Sequence, residues 1–170
     1  MNQTIDFRAP VGWQCRQSRM KVFVDLENAC GGSQNVFLHE AEIRRMVNEL
    51  GNCVPCQVTL SVGPLALQNC PNLIWAWGSA RFLPGKGLDG ADLALLDAIK
   101  TERLRPGLDT LVLISGDHIF ANVVEELTSS GVRCEVIARP NALSSKLKFA
   151  ATRIQFINTN NEQISERESA

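Results

Sequence analysis

The chain has 170 residues, 45% of them hydrophobic, and a formal net charge of −1. This length suits one well-filled core and is short for two domains, and the charge excludes a strongly basic protein that binds nucleic acid through its overall field. Met1 to Arg19 do not resemble a signal peptide, and no apolar run approaches the roughly 20 residues of a membrane span. We therefore expect a cytoplasmic protein without membrane contact, whose six cysteines are reduced.

The first half of the chain predicts three strands and one helix. Residues 1–19 have no apolar period and predict a loose N-terminal arm. The apolar run at Lys21–Asp25 predicts a buried strand, and apolar residues at helical spacing predict a helix over 36–50. The β-branched run Gln57–Gly63 predicts the second strand, and Asn72–Gly78 predicts the third.

The second half continues the alternation of helices and strands. The predicted elements are a helix at Gly90–Glu102, a strand at Thr110–Ser115, a helix from the stripe Ile119, Val123, Val124 and Leu127, a strand at Arg133–Ala138, a helix at 143–150 and a strand at Arg153–Ile157. We therefore place one domain at residues 20–158. Residues 159–170 have the composition of a disordered polar tail.

The predicted strands are nearly continuous apolar runs separated by helices. This pattern is typical of an α/β protein whose parallel sheet, here of about five or six strands, has helices on both faces. Ligands of open sheets of this kind bind beyond the carboxyl ends of the strands. Candidate functional residues are therefore expected at that edge.

Three aspartates are predicted to lie at this edge. Asp25 ends the first strand and Asp117 follows the fourth. Asp92 lies in the first turn of the helix that is predicted to start at Gly90. We expect their carboxylates within about 8 Å of each other, close enough to share a hard cation such as Mg²⁺ or Mn²⁺. Such an ion can activate water and hold a phosphoryl oxygen.

Each aspartate also has a structural interpretation. Asp117 is a suitable helix N-cap, Asp92 suits the first turn of a helix dipole, and Asp25 could simply end its strand. Asp97 lies five residues after Asp92, about 140° away around a helix. We therefore expect Asp97 to support the site from behind or to be solvated, and not to share an ion with Asp92.

Several side chains are candidates for binding a substrate. The glycine-rich "PGKGLDG" lacks the spacing of a P-loop, but its backbone amides and Lys86 could cradle an RNA phosphate. His118 could contact substrate or face solvent. Lys146 belongs to a basic cluster that forms either a binding patch or a solvated helix face; its members are Arg133, Arg139, Lys146, Lys148 and Arg153.

Two further motifs favour structural roles. Cys53 and Cys56 form a CxxC pair, but no second pair follows at the spacing of a zinc site, and a strand rather than a helix comes next. Trp75 and Trp77 would share one face of a strand. The core or the interface of a homo-oligomer is the favoured place for them, with base stacking as the alternative.

Four segments, in order and spacing, resemble the NYN domains, a family of PIN-like nucleases. They are "VFVDLENA" (22–29), "GADLALLDAI" (90–99), "LVLISGDHIFANVVEELTSSGVRCEVIA" (111–138) and "LSSKLKFAATRIQFI" (143–157). The resemblance implies a metal-dependent ribonuclease site formed by Asp25, Asn28, Asp92 and Asp117, with Ser115 orienting Asp117.

The chain departs from the family pattern at two positions. The lysine of the family's "KGxD" is Gly90 here, and the second aspartate of "SGDxDF" is Ile119. Ile119 continues the apolar stripe of the following helix, so "SGDHIF" marks a branch of the family. Without this acid the site has one fewer ligand for a second ion, which argues against tight binding of that ion.

The leading hypothesis is an endoribonuclease that uses Mg²⁺ or Mn²⁺, held by Asp25, Asp92 and Asp117, to hydrolyse RNA phosphodiester bonds. Asn28 would ligate through water or position the scissile phosphate. The alternative is a non-catalytic module that binds RNA or protein on the same fold, an idea that Ile119 favours. A third hypothesis is a phosphatase-like or 5′-nuclease-like hydrolase at the same residues.

Overall fold

A computed structural model describes residues 19–51, 56–87 and 89–157. The predicted N-terminal arm, apart from Arg19, and the predicted tail lie outside these ranges, as does Cys53. Three cysteines in the described part of the chain are buried free thiols: Cys30, Cys70 and Cys134. No helix within these ranges has the length and apolar character needed to cross a bilayer.

The six strands form a single all-parallel sheet in the order β3-β2-β1-β4-β5-β6. The strand bounds are β1 Met20–Asp25, β2 Cys56–Val62, β3 Arg81–Pro84, β4 Thr110–Ile114, β5 Arg133–Ala138 and β6 Arg153–Phe156. The α/β class and the parallel sheet predicted from the sequence are thereby confirmed.

Seven α-helices and two short 3₁₀ helices connect the strands in the described ranges. The α-helices are α1 Leu26–Cys30, α2 Val36–Gly51, α3 Pro64–Asn69, α4 Leu73–Ala76, α5 Gly90–Thr101, α6 Ala121–Ser129 and α7 Ser145–Ala150. The 3₁₀ helices span Ser33–Asn35 and His118–Phe120.

The side chains of each central strand alternate between two apolar layers. In β1, Val22 and Val24 pack with the residues of α1 to α4, whereas Phe23 packs with those of α5 to α7. Leu111 and Val112 divide in the same way in β4. This alternation explains why both strands are continuously apolar, since each face of the sheet is covered by helices.

The direction of strand addition reverses between β1 and β4. The chain builds β1, β2 and β3 outward on one side and then returns to place β4 on the other side of β1. Val24 of β1 lies beside Ile114 of β4 in the register. The next residues, Asp25 and Ser115, therefore leave the sheet side by side at the position where open parallel sheets bind ligands.

The prediction of a strand at Asn72–Gly78 is wrong. Leu73–Ala76 form the short helix α4, and the third strand is Arg81–Pro84. Trp77 is buried and its Nε1 donates a hydrogen bond of 3.2 Å to Glu40, whereas Trp75 is 87% exposed. Leu73 and Trp77 share one buried face at a spacing of four, and a short apolar run does not distinguish this pattern from a strand.

Candidate active site

Asp25 is held in place by the start of the helix that follows it. As the N-cap of α1, its Oδ1 accepts a hydrogen bond of 3.2 Å from the backbone N–H of Asn28. The residue is only 2% exposed. This N-cap hydrogen bond fixes one oxygen of the carboxylate directly after the strand ends.

Ser115 connects the loops that follow β1 and β4. Its buried hydroxyl donates a hydrogen bond of 2.9 Å to Oδ2 of Asp25 and accepts one of 3.2 Å from the backbone N–H of Asp117. The expected support of Asp117 by Ser115 thus acts on the Asp117 backbone. The carboxylate that Ser115 orients is that of Asp25.

Asp117 caps the 3₁₀ helix and also faces the sheet edge. Its Oδ1 accepts a hydrogen bond of 3.0 Å from the N–H of Ile119 and lies 2.8 Å from Nδ1 of His118. The side chain of Asp117 is 30% exposed, and that of His118 is 75% exposed. The capping role anticipated for Asp117 is therefore present and does not remove the carboxylate from the edge.

Asp92 reaches the same place from the first turn of α5. The pKa of its carboxyl is raised to about 6, chiefly by burial and then by the charges of Asp117, Asp89 and Glu27 in that order of effect. Asp92 is half-buried. A carboxyl that loses hydration and faces other carboxylates binds its proton more tightly than one in water.

Asp25 experiences the same repulsion in a more buried position. Its pKa is raised to about 7, chiefly by burial and then by the charge of Asp92, while the hydrogen bonds from Asn28 and Ser115 act in the opposite direction. The charge of Asp117 adds a smaller increase. The three predicted carboxylates thus interact electrostatically, and a cation among them would relieve the repulsion.

These side chains line one open cleft of about 350 Å³. Its lining residues are Asp25, Glu27, Asn28, Gly31, Gly32, Ser33, Asp92, Asp117 and Ala142. The structure therefore brings together all four residues of the predicted site. Glu27 was not predicted, although it stands between Asp25 and Asn28 in the same motif, and its half-buried position raises the pKa of its carboxyl.

Asn28 presents its amide to the site in one defined orientation. The backbone N–H of Gly116 donates a hydrogen bond of 2.9 Å to Oδ1 of Asn28. This bond uses one of the two lone pairs of Oδ1 and fixes the orientation of the amide. Nδ2 can donate a hydrogen bond to a phosphate oxygen, and the second lone pair of Oδ1 can accept one from a cation-bound water, so both roles expected for Asn28 remain predictions.

The chemistry of the carboxylates suits a hard divalent cation, although their arrangement is not a complete coordination shell. Across the described ranges, no group of three His, Cys, Asp or Glu side chains is arranged to hold a metal ion by itself. Mg²⁺ commonly keeps several waters and takes one or two carboxylates together with substrate phosphates. Asp25, Asp92 and Asp117, in one cleft with mutually raised proton affinity, fit that mode of binding.

Three of the other candidate residues lie on exposed surface. Lys86 is in the loop after β3, Asp97 is on α5 and Lys146 is in the first turn of α7. None of the three is among the residues that line the cleft. Asp97 in particular has the solvated position that was the alternative to a supporting role.

Comparisons with known proteins address the fold and the family. A crystal structure of a protein of unknown function from Vibrio parahaemolyticus resembles this chain with a TM-score of 0.59 at 18% identity, over 86% of this chain and 96% of that one. This likeness supports the fold alone. No curated protein matches the sequence.

A family model matches the part of the chain that contains two of the three aspartates. The model is that of the NYN domain, and the match spans residues 85–160. Asp92 and Asp117 lie inside the matched segment, while Asp25 precedes it and joins them through the parallel sheet. Residues 85–160 of this chain are thus similar to the NYN domain family.

Proposed function

We propose that this protein is a divalent-cation-dependent endoribonuclease whose active site is the cleft at the carboxyl edge of β1 and β4. The observation that carries the proposal is the convergence of Asp25, Asp92 and Asp117, from three separate elements, on one cleft. The NYN match supports the class of reaction, because NYN domains are PIN-like nucleases.

The residues of the chain have distinct roles in this proposal. When bound by Asp25, Asp92 and Asp117, Mg²⁺ or Mn²⁺ would supply a Lewis acid for the phosphodiester and a more acidic water. Ser115 and the Asn28 backbone hold the Asp25 carboxylate in a single orientation. The Nδ2 group of Asn28 donates a hydrogen bond to a non-bridging phosphate oxygen and thereby positions the RNA.

The openness of the cleft agrees with a polymeric substrate. A second depression of about 270 Å³ shares Glu27, Ser33 and Asp92 with the first. A strand of RNA passing the carboxylates could extend into this depression on one side. Cleavage within a chain needs such continuation on both sides of the scissile bond, unlike removal of a terminal phosphate.

A matched pair of variants on one helix tests the proposal. Asp92→Asn removes a predicted cation ligand, whereas Asp97→Asn makes the same change on the exposed face of α5. With single-stranded RNA and Mn²⁺, we expect Asp92→Asn to lose about two orders of magnitude of cleavage rate or more. Asp97→Asn should keep wild-type activity. Equal rates for the two variants would contradict the assignment of the site.

One observation favours a second candidate function, a non-catalytic RNA-binding module. Ile119 packs against the apolar layer of α5 to α7 at the position where the family motif has its second acid. The same assay separates the two functions. Binding of RNA by the wild-type protein without cleavage, in Mn²⁺ and in Mg²⁺, would favour the binding module.

A further inference from the structure

The cleft is negatively charged, which opposes the binding of the phosphate groups of RNA. Among the described residues that line it are Asp25, Glu27, Asp92 and Asp117, and none is Lys or Arg. A cation can neutralise part of this charge at the scissile phosphate. The phosphates on either side of that group still require positive charge from the protein, because phosphate contacts supply most of the affinity for nucleic acid.

Arg139 follows the last residue of β5 and therefore starts at the same edge of the sheet. Its loop is fixed to the Asp117 loop by a hydrogen bond of 2.9 Å from the N–H of Ser144 to the carbonyl oxygen of Gly116. A Cβ at Gly116 would collide with the carbonyl oxygen of Ala142. The Arg139 loop therefore packs directly against the Asp117 loop of the candidate site.

The guanidinium of Arg139 lies in a space that only glycine leaves open. Gly31 has a φ of 79°, and a Cβ at Gly31 would overlap the guanidinium of Arg139. Gly31 is itself part of the wall of the cleft. The side chain of Arg139 therefore extends from the end of β5 to the glycine turn after α1 and brings its charge to the border of the acidic cleft.

We propose that Arg139 is a substrate-positioning residue that binds an RNA phosphate next to the one cleaved. This inference rests on the proposed ribonuclease function. A planar guanidinium can donate two parallel hydrogen bonds to a phosphate, which fixes both the position and the direction of the backbone. Because Gly31 has no side chain, the guanidinium lies directly against the turn that borders the cleft.

The test measures RNA affinity apart from cleavage. A fluorescent single-stranded RNA of mixed sequence is titrated with protein in EDTA at several NaCl concentrations, and KM and kcat are then measured with Mn²⁺. The variants are Arg139→Gln and Arg139→Lys, with Arg153→Gln as the control. Arg153 is an exposed arginine at the start of β6, on the opposite edge of the parallel sheet.

We expect Arg139→Gln to weaken RNA binding and raise KM by roughly ten-fold or more, with a smaller change in kcat. The slope of log affinity against log salt should fall by about 0.7, which corresponds to one lost phosphate contact on a single strand. Arg139→Lys should recover the salt slope but only part of the affinity, since it keeps the charge and loses the planar fork. Arg153→Gln should change neither quantity.

Two failures can be told apart at matched folded fraction, which is checked by thermal melting. If the wild-type protein cleaves RNA and Arg139→Gln behaves like Arg153→Gln, the role of Arg139 is refuted and the ribonuclease proposal stands. If the wild-type protein neither binds nor cleaves RNA, the proposed function fails, and the role of Arg139 fails with it.

Discussion

The hydroxyl of Ser115 donates a hydrogen bond of 2.9 Å to the carboxylate of Asp25, although the two residues are 90 positions apart in the chain. They meet because β1 and β4 are parallel neighbours whose register ends one residue earlier, at Val24 and Ile114. Both side chains are buried. The reversal in strand order thus places a hydrogen-bond donor behind the most buried carboxylate of the candidate site.

Ser115→Ala removes this donor and the acceptor of the Asp117 backbone N–H. We expect the free energy of unfolding to fall by about 1 to 3 kcal/mol, because buried polar groups lose their partners. The Ser115 hydrogen bond lowers the pKa of Asp25, so its loss raises that pKa. The pH at which Mn²⁺ binding reaches half of its maximum should therefore move upward, as measured by calorimetric titration across pH.

Ser61→Ala is the matched control for this prediction. Ser61 is equally buried near the end of β2 and lies beside Asp25 in the register, but its hydroxyl donates to the carbonyl oxygen of Val24 and not to a carboxylate. This variant should cost stability without moving the pH dependence of Mn²⁺ binding. The same pH midpoint for both alanine variants would show that Ser115 does not tune Asp25.

Asp25→Asn tests the electrostatic cost of the cleft in the absence of metal. The folded-state pKa of Asp25 is raised to about 7, above the value near 3.9 of an unfolded chain. The stabilising contribution of protonated Asp25 is therefore present below about pH 4 and is lost as the pH rises through about 7. Asparagine does not ionise, and it preserves the N-cap of α1.

The melting temperatures of Asp25→Asn and of the wild type are compared in a chelating buffer. The variant should gain stability relative to the wild type as the pH rises from 4 to 8. The exposed Asp97→Asn is the control for removing a carboxylate outside the cleft. Adding Mn²⁺ at pH 8 should stabilise the wild type more than Asp25→Asn, since a ligand stabilises the state that binds it. A difference for Asp25→Asn that does not vary with pH would refute the raised proton affinity.

Ile119→Asp restores the family's usual acid at a position that packs against the apolar layer of α6. Because Ile119 is half-buried, we expect a loss of about 1 to 3 kcal/mol in unfolding free energy. We expect no gain in Mn²⁺ affinity. The control is Asn122→Asp, which adds an acid to the exposed side of the same region. Tighter Mn²⁺ binding by Ile119→Asp would mean that the missing acid limits the site.

The sequence was sufficient to predict the strand ends and hence the edge that carries the site. Asp25 and Asp117 each end an apolar run, and parallel strands bring such ends together. The structure placed both in one cleft. It contradicted the strand expected around Trp75, because a four-residue helix and a short strand have the same apolar composition.

Other features depend on contacts between loops that are distant in the chain. The partner of Ser115 is set by the register of β1 and β4, and the position of Arg139 is set by the space above Gly31. Neither contact can be derived from the spacing of these residues along the sequence. Glu27 was within reach of prediction, since a helix that begins at Leu26 turns its first residues toward the same edge as its N-cap.

We propose that the carboxylate of Asp117 takes part in RNA cleavage and is more than a helix cap. Asp117→Asn separates these roles, because asparagine can still accept the hydrogen bond from Ile119 but has no charge for a cation. The measurement is the rate of cleavage of single-stranded RNA in Mn²⁺ by wild type and variant at matched folded fraction. We predict a fall of about two orders of magnitude or more in the cleavage rate of the variant, with a melting temperature that is unchanged or higher. Equal cleavage by the two proteins would contradict it.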